Sequence, residues 1–130
     1  MMPYSGSMDR IYVPPGWPSQ VRPPGVPGFE ETAARWLLDR CPPEYRSYPV
    51  LRRHPVVLAR FAALHVEGAQ QAVRRGLSEA RAVLREVADP DVTEQAVTTW
   101  QAEEARLLGE RRSVGLVEDA LRGRRFVARL

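Results

Sequence analysis

Apolar residues recur every three or four positions at Val66, Ala69, Val73, Leu77, Ala80, Leu84 and Val87. That spacing keeps one stripe of a helix turned to the same side, as in a coiled-coil seam. A second apolar line through Leu58, Phe61, Ala62, His65 and Ala72 widens the stripe in the N-terminal half of the run. A further run carries Trp100, Leu107, Val114 and Leu121 at seven-residue intervals, with Val97, Leu108 and Val117 beside them. The pattern predicts two long helices, 55–88 and 90–122, meeting at Ala88-Asp89-Pro90-Asp91. Helices of nearly equal length joined by so short a turn form an antiparallel, coiled-coil-like hairpin.

The punctuation agrees. Asp89 can accept from the orphan amides of the second helix as its N-cap, and Pro90 fills the first helical position, where its missing donor costs nothing. Gly123 is the expected left-handed residue past the end. Charge supplies a register. With the chain reversing about Asp89, Arg60 faces Glu118, Glu67 faces Arg111 and Arg74 faces Glu104, each pair opposite in sign. Alternating pairs of this kind specify alignment more than stability. Gly68 falls opposite Gly109 or Glu110, which predicts close approach there. Gly76 and Gly115 each cost about 1 kcal/mol relative to alanine in a helix interior, and are expected to accept a bulky neighbour such as Trp17 or Trp36.

Before the hairpin, 29–40 reads as a short amphipathic helix with Phe29, Ala33, Trp36 and Leu37 on its inner side. Glu30 and Glu31 in its first turn and Arg40 in its last suit the macrodipole. Pro42-Pro43 ends it. A further turn from Pro43 and a short helix over 49–53 follow, with His54 as a boundary before Pro55. The short helix is the expected cover for the widened stripe. Residues 1–28 hold seven of the twelve prolines and form neither helix nor central strand. Ile11, Tyr12, Val13, Trp17 and Val21 are more apolar than a solvated tail needs, so an arm laid along the helices, anchored by Trp17, is preferred to a free tail or a ligand for a proline-binding groove.

The fold class expected is therefore all-α: a Pro-rich N-terminal arm, 1–28, and a helical domain, 29–130, ending in a basic tail, 123–130. A chain of 130 residues supports one domain, and 27 % charged residues fit a soluble globular protein. No apolar run approaches the roughly 18 residues that span a bilayer. The N-terminus lacks a basic segment followed by an apolar one, so no secretory signal is read and a cytoplasmic location is expected. Translation starts at Met1 or Met8. All 19 basic residues are arginine and 16 acids offset them, leaving a formal charge of only +3.

Chemistry is sparse. Cys41 is the single cysteine, so it closes no internal disulfide. Arg40 beside it would lower its pKa, but no catalytic motif accompanies it. His65 on the wider apolar face reads as a core histidine, and His54 as a boundary residue. Glu103 and Glu104 point about 100° apart on a helix and read as a solvated face with cross-helix partners. No Gly-rich phosphate loop, nucleophile elbow or paired CxxC is present. The expectation is a non-enzyme with no catalytic, cofactor or metal-binding residues; an unrecognised site at Cys41 or His54 is the remote alternative. Arg52, Arg53, Arg122, Arg124, Arg125 and Arg129 gather at the open end of the hairpin and are the candidate phosphate-binding set. No helix-turn-helix, finger or RNA-recognition signature accompanies them.

The segments Tyr12-Val13-Pro14-Pro15-Gly16-Trp17-Pro18 and Leu51-Arg52-Arg53-His54-Pro55-Val56-Val57-Leu58-Ala59 resemble a group of small actinobacterial helical proteins with no assigned activity, over most of the chain from Met8 onward. The resemblance implies a high-GC bacterial cytoplasm and transfers no functional residue. The leading expectation is a non-catalytic protein-interaction or assembly module, binding an unidentified protein or a second copy. An accessory protein holding nucleic acid or phosphate at the arginine end is the lesser alternative.

Overall fold

The computed structural model describes residues 11–128. Residues 1–10 of the expected arm, and Arg129 of the basic set, lie outside the described residues. The chain is all-α, as its patterning predicts. Helix α1 spans Phe29–Asp39, a 3-10 turn Pro43–Ser47, α2 Pro49–Arg53, α3 Pro55–Leu84 and α4 Pro90–Leu121. The two long helices pack antiparallel, and α1 lies chiefly against α3.

Proline sets most of the boundaries. It occupies an initial position of α2, α3 and α4, where its fixed φ suits the helix. Each preceding residue is pushed out of the α region, Tyr48 to ψ 112°, His54 to ψ 89° and Asp89 to ψ 152°. This explains the one substantial shift of a boundary. Helix α3 stops at Leu84 rather than at residue 88, because extended Asp89 needs a turn before it, closed by amides of Val87 and Ala88 donating to Leu84 O. Val87, expected in the seam, is 77 % exposed in that turn. Asp89 occupies the N-cap but makes no side-chain cap bond; its carbonyl takes the Thr93 amide at 2.9 Å. Helices α1 and α4 each stop one residue early, at Asp39 and Leu121, with Arg40 and Arg122 as C-caps. Gly123 has the expected positive φ, 106°.

The core sits at the open end of the hairpin. Leu37, Leu51, Leu58, Val114 and Val117 are sealed from solvent, and Ala33, Ala59 and Ala62 let the backbones of α1 and α3 close together. The apolar cluster draws nothing from residues 74–106. The distal half is therefore a two-helix stalk, closed by Ala80, Val97 and the Trp100 ring against Gly76. The second apolar line of α3 divides. Leu58 and Ala62 are buried, whereas Phe61, His65 and Ala72 face out, because α1 and α2 are too short to cover both lines. His65 is thus a surface residue, its ring 6.2 Å from that of Tyr45, and not a core histidine.

Two of the three charge pairs form as aligned. Arg60 meets Glu118 and Arg74 meets Glu104, both at 3.3 Å. Glu67 and Arg111 do not pair: Arg111 Nη1 instead donates to Gln70 Oε1 at 3.0 Å. A further cross-helix pair, Arg81–Glu94 at 2.9 Å, ties the stalk near its tip. This bidentate contact pulls the Glu94 carboxyl below its ordinary range and raises Arg81. The glycines also differ from expectation. Open space lies over Gly68, Gly109 and Gly115, and the bulky neighbour of Gly76 is Trp100, not Trp17 or Trp36.

Gln70 is the discordant core residue. It is 1 % exposed and its Nε2 has no partner among the described residues. A buried donor left unpaired costs about 1–3 kcal/mol, while exposed Arg111 can return to water. Gln70→Leu is therefore expected to raise the urea midpoint by the equivalent of about 1 kcal/mol or more; an unchanged or lower midpoint would show that the amide is satisfied.

Candidate functional site

The arm is built onto the hairpin by backbone contacts that span the chain. Positive φ at Gly16, 99°, turns the arm so that Pro15 O accepts from Arg112 Nε at 2.9 Å and Gly16 O accepts from Ser113 Oγ at 2.7 Å. A Cβ on Gly16 would stand 2.6 Å from Arg112 Nε, so this residue must be glycine both for its backbone and for room. Trp17, expected as the arm's anchor, lies against Phe29 and Phe126. Its Nε1 donates to Val21 O at 2.8 Å, and its ring lies 6.1 Å from Phe29 and 5.9 Å from Phe126. Further along, Thr32 Oγ1 accepts from the Arg22 amide and donates to Gly28 O, fixing the arm to the start of α1.

Phe126 brings the C-terminal tail over the arm, and between them opens a cleft of about 600 Å³. Arg112, Arg124 and Arg125 line it, together with Tyr12, Leu116 and Phe126. Arg124 is held by Asp119 at 3.2 Å and lies over the Phe126 ring at 5.2 Å. Arg125 donates only to the carbonyl of Arg124, and Arg112 only to Pro15, among the described residues.

The expected arginine set is accordingly divided. Arg124 and Arg125 line the cleft, whereas Arg52, Arg53 and Arg122 do not. Arg122 is engaged with Glu118 at 3.2 Å, the same carboxylate that takes Arg60. Arg52 and Arg53 stand exposed on α2 without an ion pair among the described residues. The cleft's third arginine, Arg112, is not among the arginines singled out from the sequence. Periodicity cannot reveal it, since its role depends on a turn 97 residues earlier.

A second surface lies on α3. Phe61 and Leu64, 43 % and 56 % exposed, stand one helical turn apart. Tyr45 packs edge-on against Phe61 at 5.8 Å and lies 6.2 Å from Tyr48, extending the patch over the 3-10 turn. Gly68, the next turn along, has nothing above it. Beside it Glu67, left over when Arg111 turns to Gln70, has no ion pair among the described residues.

Of the reactive residue types, Cys41 and His65 line one cavity with Asp39 and Glu110, and His54 is not part of it. Cys41 is buried, and burial pushes its thiol up to about 11, with Arg46 opposing only partly. Arg40, the neighbour expected to lower it, is directed instead to Glu110 at 3.1 Å and over the Trp36 ring at 4.5 Å. A thiol protonated at neutral pH is a poor nucleophile. His54 is exposed at the α2–α3 junction. Glu103 is tied to Arg106 at 2.7 Å, which lowers its carboxyl, and Glu104 to Arg74, so the two carboxylates have separate partners. No group of three His, Cys, Asp or Glu residues able to hold a metal occurs among the described residues. None of their helices is long and apolar enough to cross a membrane. Comparison with protein-family models, curated proteins and solved structures finds no match to this chain.

Proposed function

We propose that this chain is a non-catalytic assembly module that pairs with a second copy of itself through the outer face of α3. The observation that carries the reading is the exposed Phe61–Leu64 patch beside the open surface of Gly68. Large apolar groups left in water at adjacent turns of a rigid helix favour burial against a partner. In an antiparallel crossing of two α3 helices, Leu64 of each copy meets the hollow at Gly68 of the other, an isologous contact that closes on itself. A thirty-residue helix, about 45 Å long, is long enough for an interface of standard size. A cytoplasmic home fits a chain whose one cysteine is a buried free thiol.

Light scattering across a concentration series tests this. A mass of twice the 14.7 kDa chain is expected, with Leu64→Glu returning the protein to monomer while its helical circular dichroism is unchanged. A wild-type monomer at every concentration would refute the proposal.

A further inference from the structure

The cleft between arm and tail carries a separate inference, independent of the pairing of α3. The geometry points to a binding site for a small phosphomonoester bearing a flat or apolar group, with Arg112 and Arg125 on the phosphate and Phe126 and Tyr12 beside the remainder. The arrangement is specific in three respects.

Arg112 is preorganised. Its Nε is committed to Pro15 O and its stem is packed against Gly16, so the guanidinium is fixed while both Nη groups have no partner among the described residues. A fixed fork loses little entropy when it grips an anion, and guanidinium matches phosphate oxygens in pairs. Arg125, on the same cleft, has no partner for its Nη2 and Nε among the described residues. Among the described residues no Asp or Glu lines the cavity, and Asp119 is paired with Arg124 alone. By contrast, eight arginines outside the cleft are ion-paired with acids.

The other lining is apolar and aromatic. Phe126, Leu116 and Tyr12 face the same space, and the volume of about 600 Å³ falls in the range of small-molecule sites. Arg112, Arg124 and Arg125 line one cleft, which favours a compact dianion over a nucleic-acid strand, whose phosphates need cations spread along a track. The phosphate would also join arm to tail, since Arg112 belongs to α4 and holds the arm while Arg125 belongs to the tail.

Titration calorimetry at constant ionic strength, with inorganic phosphate and with adenosine monophosphate as probes, tests the site. Both are expected to bind, the nucleotide more tightly, and Arg125→Gln is expected to weaken both about tenfold or more. Arg112→Gln should do the same. Because that change also frees the arm, Arg125→Gln is the deciding variant. Arg75→Gln, which alters an arginine paired with Glu79 away from the cleft, should leave both affinities unchanged. Absence of binding up to millimolar probe, equal weakening by Arg75→Gln, or binding of a single-stranded oligonucleotide without binding of either small anion would overturn the inference.

Discussion

Leu51→Ala is expected to lower the unfolding free energy by about 2–5 kcal/mol, the range for emptying a sealed leucine site. The residue sits on α2, a helix of five residues that cannot hold itself together, since helices shorter than about 12 residues are marginal in water. Its side chain is 0 % exposed and belongs to the cluster that joins α1, α3 and α4. Truncation removes the main attachment of α2 to the core. It also loosens the link that fixes where α3 begins, because Pro49 and Pro55 bracket α2 and leave it no other hydrogen-bonded continuation. A total of about 5–15 kcal/mol is usual for a domain, so the loss is a large fraction of the stability. Urea unfolding followed by circular dichroism measures it. A loss below about 1 kcal/mol would mean that Leu51 is not the pin of this segment.

Gly76→Val should destabilise by about 1–3 kcal/mol through overpacking. A Cβ at residue 76 would stand 2.5 Å from Trp100 Nε1 and Cε2, so either the indole leaves its seat or the helices part. Both damage the stalk where it is weakest, because no third element backs the two helices there. The comparison that isolates the steric cause is Gly109→Ala. Space above that glycine is open, so alanine should stabilise by about 1 kcal/mol from helix propensity alone. Opposite signs for the two substitutions in urea unfolding are the expected result. A neutral Gly76→Val would show that Trp100 adapts without loss.

Much of the architecture was legible in the sequence because it rests on local rules. Helical periodicity, a proline at the start of α2, α3 and α4 and Gly123 past the end act within a few residues, and they locate the elements to within one residue, except at the turn. There the signal was also present: Pro90 demands an extended Asp89, and the helix before it must stop early enough to turn. The Asp89 side chain shows the limit of a local rule, since a favourable cap residue need not make the cap bond.

The candidate surfaces were less legible. Arg124 and Arg125 were singled out by charge density alone, which equally named Arg52, Arg53 and Arg122, three arginines that do not line the cleft. Phe61 and His65 have the spacing of core residues, yet they face out because the available cover is used on Leu58 and Ala62.

The sequence by itself determined the all-α hairpin and its antiparallel alignment through Arg60–Glu118 and Arg74–Glu104. Periodicity, proline geometry and sign alternation are enough for these. Only the tertiary structure decided which apolar line of α3 is covered, that Trp100 fills the hollow at Gly76, and that Arg112 joins Arg124 and Arg125 around one cleft. Each of those outcomes depends on the distance between segments remote in the chain, and no local pattern encodes that distance.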